Sequence, residues 1–441
     1  MKNSVPTLEE RKLKLERLKK VILKKEVLIN KALMDDLGKS HFETYLTEVG
    51  FIIEEISFVV KNLENWAKPR RVSTPMNLFP AKSYIHPSPY GEVLIMSPWN
   101  YPFQLCIGPM IGALAAGNRV VLKPSEFAPH TARVVREVIE ETYKPNEVKI
   151  VEGGVSETQE LLKQKFDYIF FTGSTPVGKI VMKAAAEHLT PLTLELGGKS
   201  PCLIEESANI DLAAKRCAWG KFLNAGQTCV APDYVLVPKK YQHDFIDRLN
   251  FHLKNFYGDS PAGSPDYPRI VNEKHFDRLE QLLIPAKIAI GGETSRENKF
   301  ISPTVMKDVS WSDEVMQDEI FGPILPVIPY EDLDEALEEV AKHSKPLAFY
   351  VFSENSKKAE KIMQDMSFGG GCINDTIMHL GNPNLPFGGV GASGMGSYHG
   401  QRSFETFSHM KSVLVQKTKV DIPLRYPPYN GKLSWLKMFL R

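Results

Sequence analysis

Residues 93–123 read VLIMSPWNYPFQLCIGPMIGALAAGNRVVLK. The two ends, Val93–Ser97 and Arg119–Lys123, are apolar runs of strand length. Between them Phe103–Ala116 is apolar, of helix length, and followed by Gly117, the residue type that most readily ends a helix. A buried strand, a buried helix and a second buried strand specify a βαβ crossover and a parallel sheet covered on both faces. The stretch from Val93 to Asn118 carries no charge and is long enough to cross a bilayer. Pro98, Pro102 and Pro109, with Asn100 and Gln104, would break such a helix or leave polar groups unpaired in lipid. No transmembrane segment is expected.

The alternation continues downstream. Helices are expected at Pro129–Tyr143, Glu157–Gln164 and Pro176–Glu187, and strands at Val148–Glu152, Tyr168–Thr172 and Pro191–Leu196. This is a nucleotide-binding type of architecture. Upstream, Leu8–Leu37 and Phe42–Trp66 repeat apolar residues at three- and four-residue steps, the pattern of amphipathic helices. Ser83–His86 and Gly91–Ile95 read as two strands about the turn Pro87–Tyr90. A second α/β unit runs from Ile210 to about Asp375. Its expected helices include Leu212–Phe222, Tyr241–Phe256, Lys274–Leu283, Leu333–His343 and Lys357–Met366. Its expected strands include Tyr234–Val237, Ile324–Ile328, Ala348–Phe352 and Gly371–Asn374, and one more strand, Ser412–Gln416, lies in the tail.

At 441 residues the chain suits two or three domains of roughly 150 residues each. With 54 basic and 53 acidic side chains the net charge is +1, which gives no field to favour nucleic acid or an anionic membrane. The basic stretch from Arg11 to Lys25 reads as a solvated helix face, and Lys68-Pro69-Arg70-Arg71 as a loop. Cysteines at 106, 202, 217, 229 and 372 are odd in number and show no metal-ligand spacing. With no apolar leader, they point to a reducing, cytoplasmic compartment, no disulfide and no metal.

Several residues have the right chemistry in the right context. In Phe171-Thr172-Gly173-Ser174-Thr175-Pro176-Val177-Gly178 a strand ends and a helix begins, with Thr175 as cap and Pro176 at the first position. The N–H groups of such a helix start suit a pyrophosphate, making Gly173, Ser174 and Val177 candidate cofactor residues; an ordinary strand-to-helix turn reads the same way. Lys123 and Glu126 follow a parallel strand at its carboxyl end, where ribose hydroxyls bind in doubly wound sheets, and where surface loops also lie. Cys229 sits in Asn224-Ala225-Gly226-Gln227-Thr228-Cys229-Val230, a small-residue loop after a helix. Partial exposure and nearby N–H dipoles there would lower a thiol pKa and favour a nucleophile, whereas the other four cysteines read as small apolar residues. Glu195 precedes a Gly-Gly turn and suits a general base, and Asn100 can donate an amide N–H to an oxyanion.

In order and spacing these segments resemble the aldehyde dehydrogenase superfamily. The resemblance rests on Pro98-Trp99-Asn100-Tyr101-Pro102, Lys123-Pro124-Ser125-Glu126, Phe171-Thr172-Gly173-Ser174 and Leu194-Glu195-Leu196-Gly197-Gly198-Lys199-Ser200-Pro201. It continues in Gly226-Gln227-Thr228-Cys229, Glu319-Ile320-Phe321-Gly322-Pro323 and Pro386-Phe387-Gly388-Gly389. Cys229–Tyr234, Ser393–Gly400, Ser403–Phe407 and Tyr426-Pro427-Pro428-Tyr429 are similar to the class 3 branch in particular.

The resemblance implies an α/β fold in three parts. A Rossmann-type parallel-sheet cofactor domain would span 1–77 and 93–196, an α/β catalytic domain 197–395, and a bridging and oligomerisation arm with the tail 78–92 and 396–441. It implies NAD(P)-dependent oxidation of an aldehyde to a carboxylate through a thiohemiacetal and a thioester on Cys229. The Asn100 amide and the Cys229 N–H would hold the oxyanion, Glu195 would activate water, Glu319 would hold the nicotinamide ribose and Phe321 would pack by the ring. Tyr101, Trp219, Leu223 and Thr228 would line an aldehyde funnel, with Trp219 and Leu223 four apart on one helix face. An apolar funnel implies a medium-chain aliphatic or aromatic substrate, and class 3 resemblance implies a homodimer. Glu126 favours NAD through the ribose 2′-OH, while Lys123 lets NADP be accepted. Three other readings start from the same residues: a CoA-acylating relative, a cysteine hydrolase and a catalytically silent binding protein.

Overall fold

The computed structural model describes residues 5–439. Strands β1 (Arg70–Val72) and β2 (Lys82–Pro89) precede β3 (Glu92–Met96), β4 (Arg119–Lys123), β5 (Val148–Ile150), β6 (Tyr168–Thr172) and β7 (Leu192–Glu195). Next come β8 (Pro201–Ile204), β9 (Tyr234–Pro238), β10 (Ile288–Ile290), β11 (Thr294–Ser295), β12 (Phe300–Ile301) and β13 (Thr304–Met306). The last are β14 (Ile324–Tyr330), β15 (Ala348–Phe352), β16 (Gly370–Ile373), β17 (Gly394–Met395) and β18 (Ser408–Val415).

One sheet has the order β17-β7-β6-β3-β4-β5, parallel throughout except for β17. The chain runs outward from β3 to β4 and β5, then returns to β6 on the other side, so the order reverses between β3 and β6. In open α/β sheets a reversal of this kind opens a ligand crevice beyond the carboxyl ends of the strands. The segments leaving those ends are Ser97–Asn100 after β3, Gly173–Thr175 after β6, and the turn after Glu195. Glu195 itself is fixed from both sides, in register with Thr172 on β6 and Gly394 on β17. A second sheet, β10-β13-β14-β9-β8-β15-β16, is parallel except at β10. β18 pairs along its whole length with β2, and β1 completes that third sheet.

Helices α1 (Leu8–Lys24), α2 (Glu26–Leu37), α3 (His41–Thr44) and α4 (Gly50–Ala67) pack over the first sheet together with α5 (Gln104–Ala116) and α6 (Pro129–Thr142). α5 ends where the glycine was expected to end it, with Gly117 in the left-handed region at φ 97°. The first turn of α6 is capped from a distance: Asp36, at the end of α2, accepts the N–H groups of His130 and Thr131 at 3.1 and 2.7 Å. α7 (Val155–Leu162) and α8 (Thr175–Glu187) cover the opposite face, and α9 (Ile210–Phe222) follows β8 in the second sheet.

Three expectations are corrected, and one strand is added. The segment 8–37 is two helices, broken at Lys25 with ψ 10°. Residues 68–71 are not all loop, because Arg70–Val72 pairs with Ser83–Ile85. The strands on either side of Pro87–Tyr90 do not pair with each other; β2 turns to β18 and β3 enters the middle of the first sheet. Pro201–Ile204, unassigned from its residues, is a fully buried strand at the point where the second sheet changes direction. Among the described residues no helix is long and apolar enough to cross a membrane.

Candidate active site

α9 stops at Phe222, and Leu223 is extended at ψ 135°. Leu223 is therefore not on the helix face that carries Trp219, although both reach the same space. Asn224 and Ala225 follow in the left-handed region at φ 52°, an unfavourable conformation for residues with a Cβ. These three residues redirect the chain so that Thr228 and Cys229 face a tunnel of about 190 Å³. Its wall is largely apolar: Phe51, Tyr101, Leu105, Trp219, Leu223, Val230, Ile377, Phe387 and Tyr398 all contribute. Tyr101 and Thr228 share a hydrogen bond of 2.6 Å, so their polar tips satisfy each other. Ile377 has φ 61°, a strained state for a β-branched residue, and it lies on this wall.

The amide of Asn100 donates to the Gln227 carbonyl at 2.9 Å, two residues before the thiol, and has a second N–H to give. Asn100 is 2% exposed. Glu195 is equally buried, and neither of its carboxylate oxygens has a hydrogen-bond partner. Burial pushes its carboxyl well above the usual range. A buried carboxyl with no partner is rare unless it serves a ligand or a reaction.

The thiol is not activated as expected. Burial first, then the carboxylates of Glu319 and Glu195, push Cys229 up, against the support of the Cys229 and Val230 backbone N–H groups. Desolvation and two nearby acids outweigh two N–H dipoles. Glu319 is itself raised to about 8 by burial and by Asp233, while the Gly198 N–H, Lys199 and Lys221 favour its charged form. No hydrogen bond joins Cys229 to a histidine among the described residues. His399 lines the tunnel, but burial holds it neutral, at about 3.

The cofactor candidates gather at the carboxyl ends of β4 and β6. Lys123 is buried at the end of β4, with its ammonium on the Pro124 carbonyl at 3.0 Å and 3.4 Å from Glu126. The cap of α8 is Ser174 rather than Thr175, which is already helical, and Ser174 makes no side-chain capping bond. The first N–H groups of α8 thus remain available to an anion, and Val177 is exposed in the first turn. Gly178 allows α8 to lie close to the sheet, since a Cβ there would stand 2.7 Å from Leu196. A Cβ on Gly197 would stand 2.0 Å from the Glu319 carboxylate, so that acid needs the glycine. Phe321 has φ 51° and meets Trp99 edge-on at 5.3 Å. An uncapped helix start, a lysine at a strand end and a glycine-cradled acid fit a dinucleotide.

Residue reading missed the groups that hold this arrangement. Lys199 donates to Asp233 at 2.6 Å and to the Val315 and Asp318 carbonyls at 3.0 and 2.9 Å. Asp233 in turn accepts the Ile320 N–H at 3.1 Å, next to Glu319. Both lie inside quoted segments, so position alone was a signal. Lys39, Glu43 and Glu48 gave none.

A pH effect on the thiol follows. Above the Glu319 value of about 8 its carboxylate opposes the thiolate. Replacing Glu319→Gln should speed iodoacetamide alkylation of cofactor-free Cys229 several-fold near about pH 9 and much less near about pH 7. Equal rates for the two enzymes near about pH 9 would show that this charge does not reach the sulfur.

Comparison with known proteins bears on the same residues. The aldehyde dehydrogenase family profile matches residues 4–413. The 4,4'-diaponeurosporen-aldehyde dehydrogenase of Staphylococcus aureus is 50% identical over 433 residues, covering 98% of this chain and 94% of that protein. The mouse enzyme named aldehyde dehydrogenase, dimeric NADP-preferring, is 47% identical, covering 95% of this chain and 93% of that one. A solved structure described as the substrate-bound state of Staphylococcus aureus AldH superposes with a TM-score of 0.97 at 49% identity, covering 99% of this chain and 96% of that one. The chain belongs to the aldehyde dehydrogenase family and is an NAD(P)-dependent oxidoreductase acting on the aldehyde group.

Proposed function

We propose that this enzyme oxidises medium-chain aliphatic or aromatic aldehydes, with Cys229 as nucleophile, Asn100 as oxyanion donor and Glu195 as general base. The observation that carries the reading is the thiol at an apolar tunnel, beside an amide tied to its own loop and a buried carboxyl without partners. The Cys229 thiol gives up its proton to bulk water as the sulfur adds to the aldehyde carbon, and the resulting oxyanion accepts hydrogen bonds from the Asn100 amide and the Cys229 N–H. A bound nicotinamide supplies the hydride acceptor. Glu319 and Phe321, with Gly173, Ser174, Val177, Lys123 and Glu126, are the residues that would hold it. Glu195 then takes a proton from a water molecule as that water attacks the thioester and passes it to the departing sulfur, releasing the carboxylic acid and restoring the thiol. An ionised Glu195 is needed for this step, and its pKa is raised. Thioester hydrolysis therefore gains rate as pH rises above the ordinary carboxylate range.

Cys229→Ala should abolish aldehyde-dependent NADH formation while cofactor binding persists. Glu195→Gln should still form about one NADH per active site in a burst and then stall. Steady turnover by Cys229→Ala, or no burst from Glu195→Gln, would overturn these assignments.

Substrate choice follows from the tunnel wall. Burial of each CH₂ yields about 0.8 kcal/mol, or about fourfold in kcat/KM, until the tunnel is full. Rates from acetaldehyde to decanal should climb on that slope, with benzaldehyde also accepted. A flat series, or preference for a phosphorylated aldehyde, would sink the substrate assignment. In the same assay NAD should outperform NADP, because Glu126 suits a free 2′-OH and repels a 2′-phosphate, while Lys123 tolerates it. Strict NADP dependence would contradict this.

We also read the chain as a cytoplasmic homodimer divided into a cofactor domain at 1–77 and 93–196, a catalytic domain at 197–395, and an arm at 78–92 and 396–441. The exposed apolar side chains of Leu414 and Val415 on β18 and the dimeric mouse relative support the assembly. Sedimentation should return the mass of two chains; one or four would refute it.

A further inference from the structure

Among the buried charged side chains that the mechanism above leaves unused are Lys39, Glu43 and Glu48, all in the segment that links α2 to α4. Lys39 and Glu48 are fully shielded from solvent and lie 2.6 Å apart. Lys39 uses its other hydrogens on the Asn100 carbonyl, at 3.0 Å, and on the Tyr101 ring, 4.0 Å from its centroid. Glu48, in the π-helical turn Tyr45–Val49, accepts the N–H groups of Phe103 and Gln104 at 2.9 and 3.0 Å. One ion pair thereby grips the backbone at both ends of the turn that carries Asn100. Opposite it, Asn224 donates to the Asn100 carbonyl at 2.8 Å, and Glu43 accepts the Asn224 N–H at 2.9 Å, holding that residue in its left-handed conformation.

We propose that the Lys39–Glu48 pair, assisted by Glu43, is a positioning device for the oxyanion site, setting the Asn100 amide against the nucleophile loop. The inference rests on the reading of Asn100 as oxyanion donor. A buried ion pair adds little net stability over apolar side chains of the same volume, so its distinctive contribution here is placement of the chain it grips. Rate depends steeply on such placement, since an oxyanion donor must meet the developing charge at hydrogen-bond distance. The π-helical turn serves the same end, because it carries Glu48 to the two N–H groups it binds.

The test is a mutant cycle in the intact enzyme with NAD and hexanal. Asn100→Ala should lower kcat by about 10²–10³. The neutral pair Lys39→Met with Glu48→Gln removes both charges of the ion pair together. It should lower kcat at least about tenfold, with the Kd for NAD unchanged. If the pair acts through Asn100, the triple variant should be no slower than Asn100→Ala alone. Losses that multiply in the triple variant, or a neutral-pair enzyme with wild-type kcat, would overturn the proposal. An Asn100→Ala enzyme with wild-type kcat would instead remove the oxyanion reading, and this inference with it. Should the neutral pair fail to fold by circular dichroism, Glu48→Gln alone, which keeps an acceptor for Phe103 and Gln104, should show a several-fold loss and the same absence of multiplication with Asn100→Ala.

Discussion

A Cβ on Gly226 would sit 2.2 Å from the Gly322 carbonyl oxygen, so the nucleophile loop and the loop bearing Glu319 and Phe321 meet backbone to backbone. Nothing larger than hydrogen fits between them. Asp233 repeats the connection four residues past the thiol by accepting the Ile320 N–H, and Lys199 ties Asp233 to the carbonyls of Val315 and Asp318. The sulfur, the acid and the aromatic ring are therefore parts of one rigid piece. A shift in either loop would change the distance between the thiol and the place where a nicotinamide would lie, and chemistry at a carbonyl tolerates little of that.

Around this contact the protein concentrates acids rather than bases. Glu195 and Glu319 both disfavour the thiolate, and burial raises all three groups. Lys221, buried without a hydrogen-bond partner 3.9 Å from Asp233 and lowered to about 8 by its desolvation, is a cation in the same cluster. A carboxylate buried near a cationic ring would gain from it, because the low dielectric that penalises isolated charge also strengthens the attraction between opposite charges.

Residue patterns carried much of this arrangement. Arg119–Lys123, Tyr168–Thr172 and Ala348–Phe352 have the same ends in sequence reading and in structure, because strands buried on both faces need continuous apolar runs. Cys229, Glu195 and Asn100 stand out in the sequence as candidates for a related reason, since each lies where an element ends beside glycine, proline or small residues. What could not be read depends on distance along the chain. Arg70–Val72 is charged and mostly exposed, and becomes a strand only through its partner β2. The course of β2 is set by β18, more than three hundred residues away. Lys39 looks like a solvated linker residue and Glu48 like a solvated helix residue until Asn100 and Phe103 supply their partners. The thiol differs from expectation because dipoles are visible in a local segment, whereas its burial, the larger effect, and Glu319, ninety residues later, are not.

The raised thiol has a further meaning for the enzyme between turnovers. Oxidation of a cysteine sulfur begins at the thiolate, the form that burial disfavours here. The desolvation that raises this thiol thus bears on its oxidation as well as on its reactivity toward a carbonyl.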